Sequence, residues 1–275
     1  MKDFKHLKIN QDNGIAHVLM DRGDGRNALS YDLMKELTEC ANKFKSDIDV
    51  NCIILSGQGD SFSVGADLKD KTFLKGDETS LERREIHKIG PDMCQAWESL
   101  EQITIASIEG HCIGGAIALA VSCDFRGSSS SSVFRLPEIP LGMNMSWQAN
   151  PRINSLIGPA RTKELVILGE DLLGEKAFEW GLTQRICKDG EALNLSMELA
   201  AKINKLPPIA VRMSKTSINA TNNSLNYNSS YMDRDQYLLT GFTEDRKEAI
   251  KAFFEKRDAN FQQMVDVKNF DETGS

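Results

Sequence analysis

Apolar positions along the chain fall into two regimes: short runs broken by turns as far as about residue 140, and longer stripes with helical spacing after it. Ile15 to Met20 alternates weakly, as a half-buried strand does, and the polar turn Asp21 to Arg26 ends it. Ser30 then stands as an N-cap before Tyr31 to Phe44, where Leu33, Met34, Leu37, Cys40, Ala41 and Phe44 repeat at helical intervals. Cys52 to Ser56 and Ile103 to Ile108 are apolar, β-branched runs that predict buried strands. Between them, residues 71 to 77 predict a loop. Thr79 and Glu82 then form a capping-box signature for a helix running to about Leu100, with a break expected near Gly90-Pro91. Asp124 to Arg126 predicts a short strand, and the serine run Ser128 to Ser132 an exposed connection.

Beyond residue 140 the pattern predicts helices over 160–168, 174–182, 191–203, 209–222 and 244–257, with an edge strand at Thr183 to Cys187. Pro159 suits the first turn of one helix. Thr243 caps the last, whose acids come early and bases late, as the helix dipole favours. The tail after Phe261 has little to hold it and is expected to fray. No repeat of solenoid period is present.

Composition narrows the class without choosing a function. The 275 residues suffice for a substantial core, and 40% hydrophobic with 27% charged residues are ordinary globular values. A net charge of −7 and pI of about 5.3 argue against a nucleic-acid partner. The absence of a long apolar run and of an N-terminal signal pattern makes a cytoplasmic protein, with no membrane association, the expectation. Six scattered cysteines without a CxxC pair predict buried free thiols, and the four histidines lack metal-ligand spacing, so no metal is expected.

Two stretches carry candidate chemistry. The segment Gly110-His-Cys-Ile-Gly114-Gly115 lies between the strand at 103–108 and the small apolar helix Ala116 to Val121. Glycines at a helix N-terminus leave free N–H groups that can stabilise developing negative charge, or they serve only a tight connection. Phe62-Ser-Val-Gly65-Ala66 is a second such turn. Glu138 lies among apolar residues between Pro137 and Pro140. Burial would raise its pKa and suit it to proton transfer near neutrality; the alternative is an ordinary exposed acid.

Taken in order, Asn27-Ala28-Leu29-Ser30, Phe62 to Leu68, Gly110 to Gly115, Cys123-Asp124, Phe134 to Glu138 and Phe254 to Arg257 resemble the crotonase (enoyl-CoA hydratase/isomerase) family over nearly the whole chain. The resemblance implies an α/β fold: a spiral of ββα units over 1–200, a C-terminal helical trimerisation region over 201–262, and a disordered tail at 263–275. It implies acyl-CoA thioester substrates, no separate cofactor, and a homotrimer or hexamer. The thioester oxygen would be held by the amides of Ala66 and Gly115. Ala28, Asp67, Leu68 and Lys69 would lie along the CoA, with Arg26 and Lys256 as weaker phosphate candidates.

The chain also departs from that pattern. Typical hydratases carry two glutamates, of which Glu138 matches one, while Ala118 stands at the other position. Adding water divides its proton work between two carboxylates, whereas shifting a double bond from the 3,4 to the 2,3 position needs one base. The leading expectation is therefore a 3-enoyl-CoA to 2-enoyl-CoA isomerase with Glu138 as base. A hydratase whose water is held by Asn144 or Ser146, and a catalytically inactive acyl-CoA-binding protein, are the alternatives. Ser146 stands where dienoyl-CoA isomerases and a dehalogenating branch carry an aspartate, which disfavours both chemistries. Met143, Met145 and Trp147 suit an apolar acyl pocket, and Trp147 equally suits a subunit interface.

Overall fold

A computed structural model describes residues 4–73 and 78–262; part of the expected 71–77 loop and the whole 263–275 tail lie outside the described residues. The chain starts with β1 (Leu7–Asp12) and β2 (Ile15–Met20), an antiparallel pair in which Leu7 faces Met20. Helix α1 (Tyr31–Phe44) follows, with the Ser30 hydroxyl accepting from the Leu33 N–H at 3.3 Å. Its six expected apolar positions are all buried.

From there a ββα unit recurs. Strands β3 (Cys52–Gly57) and β4 (Ser61–Ser63) lead through a 3-10 turn, Lys71–Phe73, to α2 (Ser80–Ile86) and α3 (Ile89–Glu98). Next come β5 (Ile103–Ile108), β6 (His111–Ile113) and α4 (Gly115–Val121), then β7 (Phe125–Ser129), β8 (Val133–Arg135) and α5 (Ala149–Lys163). The first strand of each unit joins one sheet and the second joins another. The larger sheet has the order β1-β2-β3-β5-β7, with β10 (Arg185–Cys187) at its far edge; β4-β6-β8 form the smaller one with the short β9 (Leu172–Leu173). Every pairing in the large sheet after β1-β2 is parallel, and β5, between two parallel neighbours, has all six residues buried, as its continuous apolar run requires. This is the spiral expected from the resemblance.

Helices α6 (Gly174–Trp180), α7 (Ala192–Ile203), α8 (Pro208–Asn222), α9 (Asn226–Ser230), α10 (Asp233–Thr240) and α11 (Glu244–Glu255) complete the described chain. A buried ion pair ties α8 to the core. Lys215 Nζ donates to Asp124 Oδ2 at 2.6 Å and to the Gln102 carbonyl at 2.7 Å, while the same Asp124 oxygen accepts from the Thr104 N–H and hydroxyl. Asp124 of the Cys123-Asp124 motif therefore has a structural task. Among the described residues no helix is long and apolar enough to cross a membrane.

Several expectations need correcting. The serine run is not an exposed connection: Ser128, Ser129 and Ser132 are fully buried, the first two in the parallel strand β7. Their hydroxyls are satisfied internally, Ser129 with Ser132 at 2.7 Å and Ser132 with the Ile108 carbonyl at 3.1 Å, which is what permits such burial. A helix does start at Pro159, as expected, after the non-helical Gly158 (φ 76, ψ 166); the helical stretch that precedes it from Ala149 was not foreseen. The capping box forms as expected, with Thr79 Oγ1 accepting from the Glu82 N–H; the break that follows falls at His87-Lys88, and Pro91 lies in the first turn of α3. Strands β1, β4, β6 and β8 and helices α9 and α10 carried too little apolar periodicity to be foreseen. Five of the six free cysteines are buried and Cys187 is half-buried, in line with expectation.

Candidate active site

The smaller sheet and the loops leaving it build a cavity of about 630 Å³. Its backbone wall comes from two turns. Asn27 is buried and its side-chain amide donates to the carbonyls of Gln58 at 2.9 Å and Ser61 at 3.0 Å, fixing the segment that precedes α1 against β4. Leu29 then bridges to the second turn: its N–H donates to the Gly65 carbonyl at 2.7 Å, and its carbonyl accepts from the Asp67 N–H at 3.1 Å. The amide of Ala66, between those two, is left out of the bridge.

Gly65 (φ 83) and Gly114 (φ 57, ψ −124) adopt backbone conformations closed to ordinary side chains. A methyl on Gly65 would collide with the Ile113 carbonyl and lie 3.3 Å from the Gly115 nitrogen, so the two turns touch. Gly114 spends its own N–H on the Arg135 carbonyl at 2.8 Å, while Gly115 is the first residue of α4, where the N–H has no intrahelical acceptor. The geometry thus leaves the Ala66 and Gly115 amides available at adjacent points of one wall. Ala66 is exposed to the cavity and Gly115 lines it.

Glu138 sits over this wall. A methyl on Gly114 would lie 2.8 Å from its Oε1. Its backbone is fixed by Pro137 and Pro140 and by its carbonyl, which accepts from the N–H groups of Leu141 at 3.1 Å and Met143 at 2.8 Å. The residue as a whole is half-buried, but Oε2 is shut off from solvent and has no hydrogen-bond partner. Burial pushes the carboxyl up to about 7, opposed only by a hydrogen bond from its own backbone. A carboxyl of that affinity takes and returns a proton with little driving force lost either way at neutral pH.

The other lining carboxylate, Asp67, is spoken for. Arg22 Nη1 meets its Oδ2 at 2.8 Å and also donates to the Ala28 carbonyl at 2.7 Å. Arg22, from the charged turn after β2, was not foreseen; its proximity to Asn27-Ala28 in sequence was the available signal. Leu68 lines the cavity with Asp67, whereas Ala28, Lys69, Arg26 and Lys256 are not among the lining residues. Ala118 is fully buried in α4 and is likewise absent from the lining.

Trp147 lies against the start of α4. A methyl on Gly115 or on Gly90 would overlap its indole, so the ring is held between α3 and α4. Trp147 (φ 62) and Gln148 (φ 57) are consecutive non-glycine residues in the left-handed region, a conformation that costs about 1 kcal/mol or more per residue. The surroundings enforce it. Arg152, paired with Glu98 at 2.7 Å, donates to the carbonyls of Trp147 at 2.9 Å and Gln148 at 3.1 Å, and Asp233 accepts from the Gln148 N–H at 2.6 Å. Met143, Met145, Ser146 and Asn144 line the cavity beside the indole, and the buried Asn144 Oδ1 has no partner.

The model of the Enoyl-CoA hydratase/isomerase family matches residues 10–264. The chain belongs to that family. It is 29% identical to the crotonyl-CoA hydratase of Syntrophomonas wolfei over 259 residues, covering 94% of this chain and 98% of the relative. It is also 29% identical to the short-chain-enoyl-CoA hydratase of Clostridium acetobutylicum over 256 residues, with 93% and 97% coverage. The crystal structure of an enoyl-CoA hydratase from Mycobacterium avium subsp. paratuberculosis superposes with a TM-score of 0.84 over 95% of this chain and all of that one, at 21% identity, which establishes the shared fold. As a member of the family the chain is an enzyme of enoyl-CoA hydratase/isomerase type, acting on acyl-CoA substrates.

Proposed function

We propose that the protein is a 3-enoyl-CoA to 2-enoyl-CoA isomerase whose proton is carried by Glu138 alone. The observation that carries this reading is the buried, unpartnered Oε2 of Glu138 in a cavity whose other lining carboxylate, Asp67, is neutralised by Arg22. The thioester oxygen sits between the Ala66 and Gly115 N–H groups. Glu138 removes a proton from the α-carbon; the electrons of the broken C–H bond flow into the conjugated system as a dienolate whose charge rests on that oxygen. The protonated Glu138 then delivers the proton to the γ-carbon, leaving the double bond at the 2,3 position and the carboxylate restored. No further group is consumed. Met143 and Trp147 bound the acyl chain, Asp67 and Leu68 run along the CoA at the cavity, and Ala28 and Lys69, outside its lining, along the rest of it.

A second reading has its own support. Asn144 Oδ1 is a buried acceptor without a partner, and a water donating to it would stand in the cavity that holds Glu138. Such a water would make the protein a hydratase, as the names of its relatives are. Incubation with 3-hexenoyl-CoA and with crotonyl-CoA, followed by mass analysis, separates the two: isomer from the first supports the isomerase, and water added to the second without any isomerisation of the first overturns it.

We infer further that the protein is a homotrimer or a pair of trimers. Ile209, Met213, Ile218, Leu225, Leu239 and Phe254 are large apolar residues of the C-terminal helical region, each more than half exposed in the single chain, more than a monomer leaves bare. Sedimentation at micromolar concentration tests this; a monomer would refute it.

A further inference from the structure

Proton transfer at the thioester uses Glu138 and two amides and leaves the part of the cavity formed by α2, α10 and α11 without a task. That part is aromatic. The His87 ring stacks on Phe73 with centroids 5.7 Å apart and tilts against Tyr237 at 5.3 Å. Arg246 lies over the Tyr237 ring at 4.8 Å and donates to its hydroxyl at 3.1 Å. All four side chains line the same cavity as Glu138.

The charges of this wall do not balance. Arg83 has Glu78 at 3.7 Å, Lys247 has Glu244 at 2.8 Å, and Asp67 has Arg22. Arg246 has no carboxylate partner among the described residues. It is half-buried, with two of its five N–H donors spent on weak neutral acceptors of Tyr237. A guanidinium in partly apolar surroundings is costly until an anion meets it. His87 supplies no opposing charge, since burial and the nearby Arg246 and Arg83 push its pKa down to about 4 and leave it a neutral donor and acceptor.

The position of this cation identifies the anion. Trp147 connects Gly115, which holds the thioester in the proposed reaction, to Gly90, three residues from His87. His87, Tyr237 and Arg246 line the same cavity as Trp147, and Arg246 packs on Gly142, where an added methyl would lie 2.6 Å from its Cα, so an acyl chain that leaves the oxyanion wall along the indole runs toward this group. We propose that Arg246, positioned by Tyr237 and flanked by His87, receives a carboxylate at the far end of the acyl chain, so that the substrates are CoA thioesters of dicarboxylic acids. This rests on the placement of the thioester at Ala66 and Gly115.

Calorimetric binding of hexanoyl-CoA and adipoyl-CoA to the full chain tests it. Neither ligand has a double bond, so the outcome does not depend on whether Glu138 isomerises or hydrates. The parent protein is expected to bind adipoyl-CoA about tenfold or more tightly than hexanoyl-CoA, the scale of a charge-assisted hydrogen bond. Arg246→Met is expected to abolish the preference while hexanoyl-CoA affinity changes less than about threefold, and Arg246→Lys to keep part of it. Equal affinities in the parent protein would overturn the proposal even if neither variant folded. So would an Arg246→Met variant that weakens both thioesters and free CoA alike, since Arg246 would then be holding a CoA phosphate.

Discussion

The two walls of the cavity are built on opposite principles. The Gly65-Ala66 and Gly114-Gly115 turns are backbone chemistry: amides projected from a parallel spiral, at positions where an added Cβ would strike a carbonyl or the Glu138 carboxyl. The segment from Met143 to Gln148, with His87, Tyr237 and Arg246, is side-chain chemistry, held in strained backbone by Arg152 and Asp233. In the proposed reaction the first wall sets which atom is activated. In the proposed reading the second sets what the rest of the substrate looks like. Glu138, at the junction, belongs to both.

If the division is right, the largest effect belongs to the junction. Glu138→Gln should lower kcat by about 1,000-fold, in the range general acid-base groups contribute, with acyl-CoA affinity within threefold of the parent; retained turnover would remove Glu138 from the reaction. Next, Gly115→Ala strikes the point where the walls meet. Its methyl overlaps the Trp147 indole and disturbs the proposed oxyanion donor, and the expected loss in kcat is about 100-fold. Gly90→Ala presses the same indole from α3, away from the amides. It should cost roughly 1 to 3 kcal/mol of stability in denaturant titration while kcat falls far less than in Gly115→Ala. Equal damage to kcat would mean that the walls do not separate.

The remaining test varies pH. With Glu138 raised to about 7, kcat/KM should climb as pH passes through that value and then level off. Stability should run the other way. The folded state holds a proton that the unfolded state has released between roughly pH 4.5 and 7, so folding weakens as pH rises through that window, by up to about 3 kcal/mol for the full shift. Glu138→Gln should lack this slope, and denaturant titrations of both proteins at pH 5 and 8 would show it.

The backbone wall was legible in the sequence because its signals are local. Ser30 and Thr79 announced their helices, Ile103 to Ile108 read as a buried strand, and paired glycines marked the tight turn into a small apolar helix. Glu138 between prolines was legible for the same reason. The side-chain wall was not, since His87 just after α2, Tyr237 on α10 and Arg246 on α11 meet only through tertiary packing. Tyr237 lies on α10, whose polar sequence gave no helical stripe. The serine run misled because hydroxyls that find internal partners are buried at little cost, something composition does not reveal. Strands of three residues, such as β4, β6 and β8, are too short for alternation to show.

The central claim is that one carboxyl group moves the proton, and the most direct test is product analysis with 3-hexenoyl-CoA for the parent protein and Glu138→Gln side by side. If Glu138 alone moves the proton, the parent yields 2-hexenoyl-CoA and the variant none, with both binding the substrate. A parent protein that leaves 3-hexenoyl-CoA untouched, or a variant that still converts it, would contradict the account.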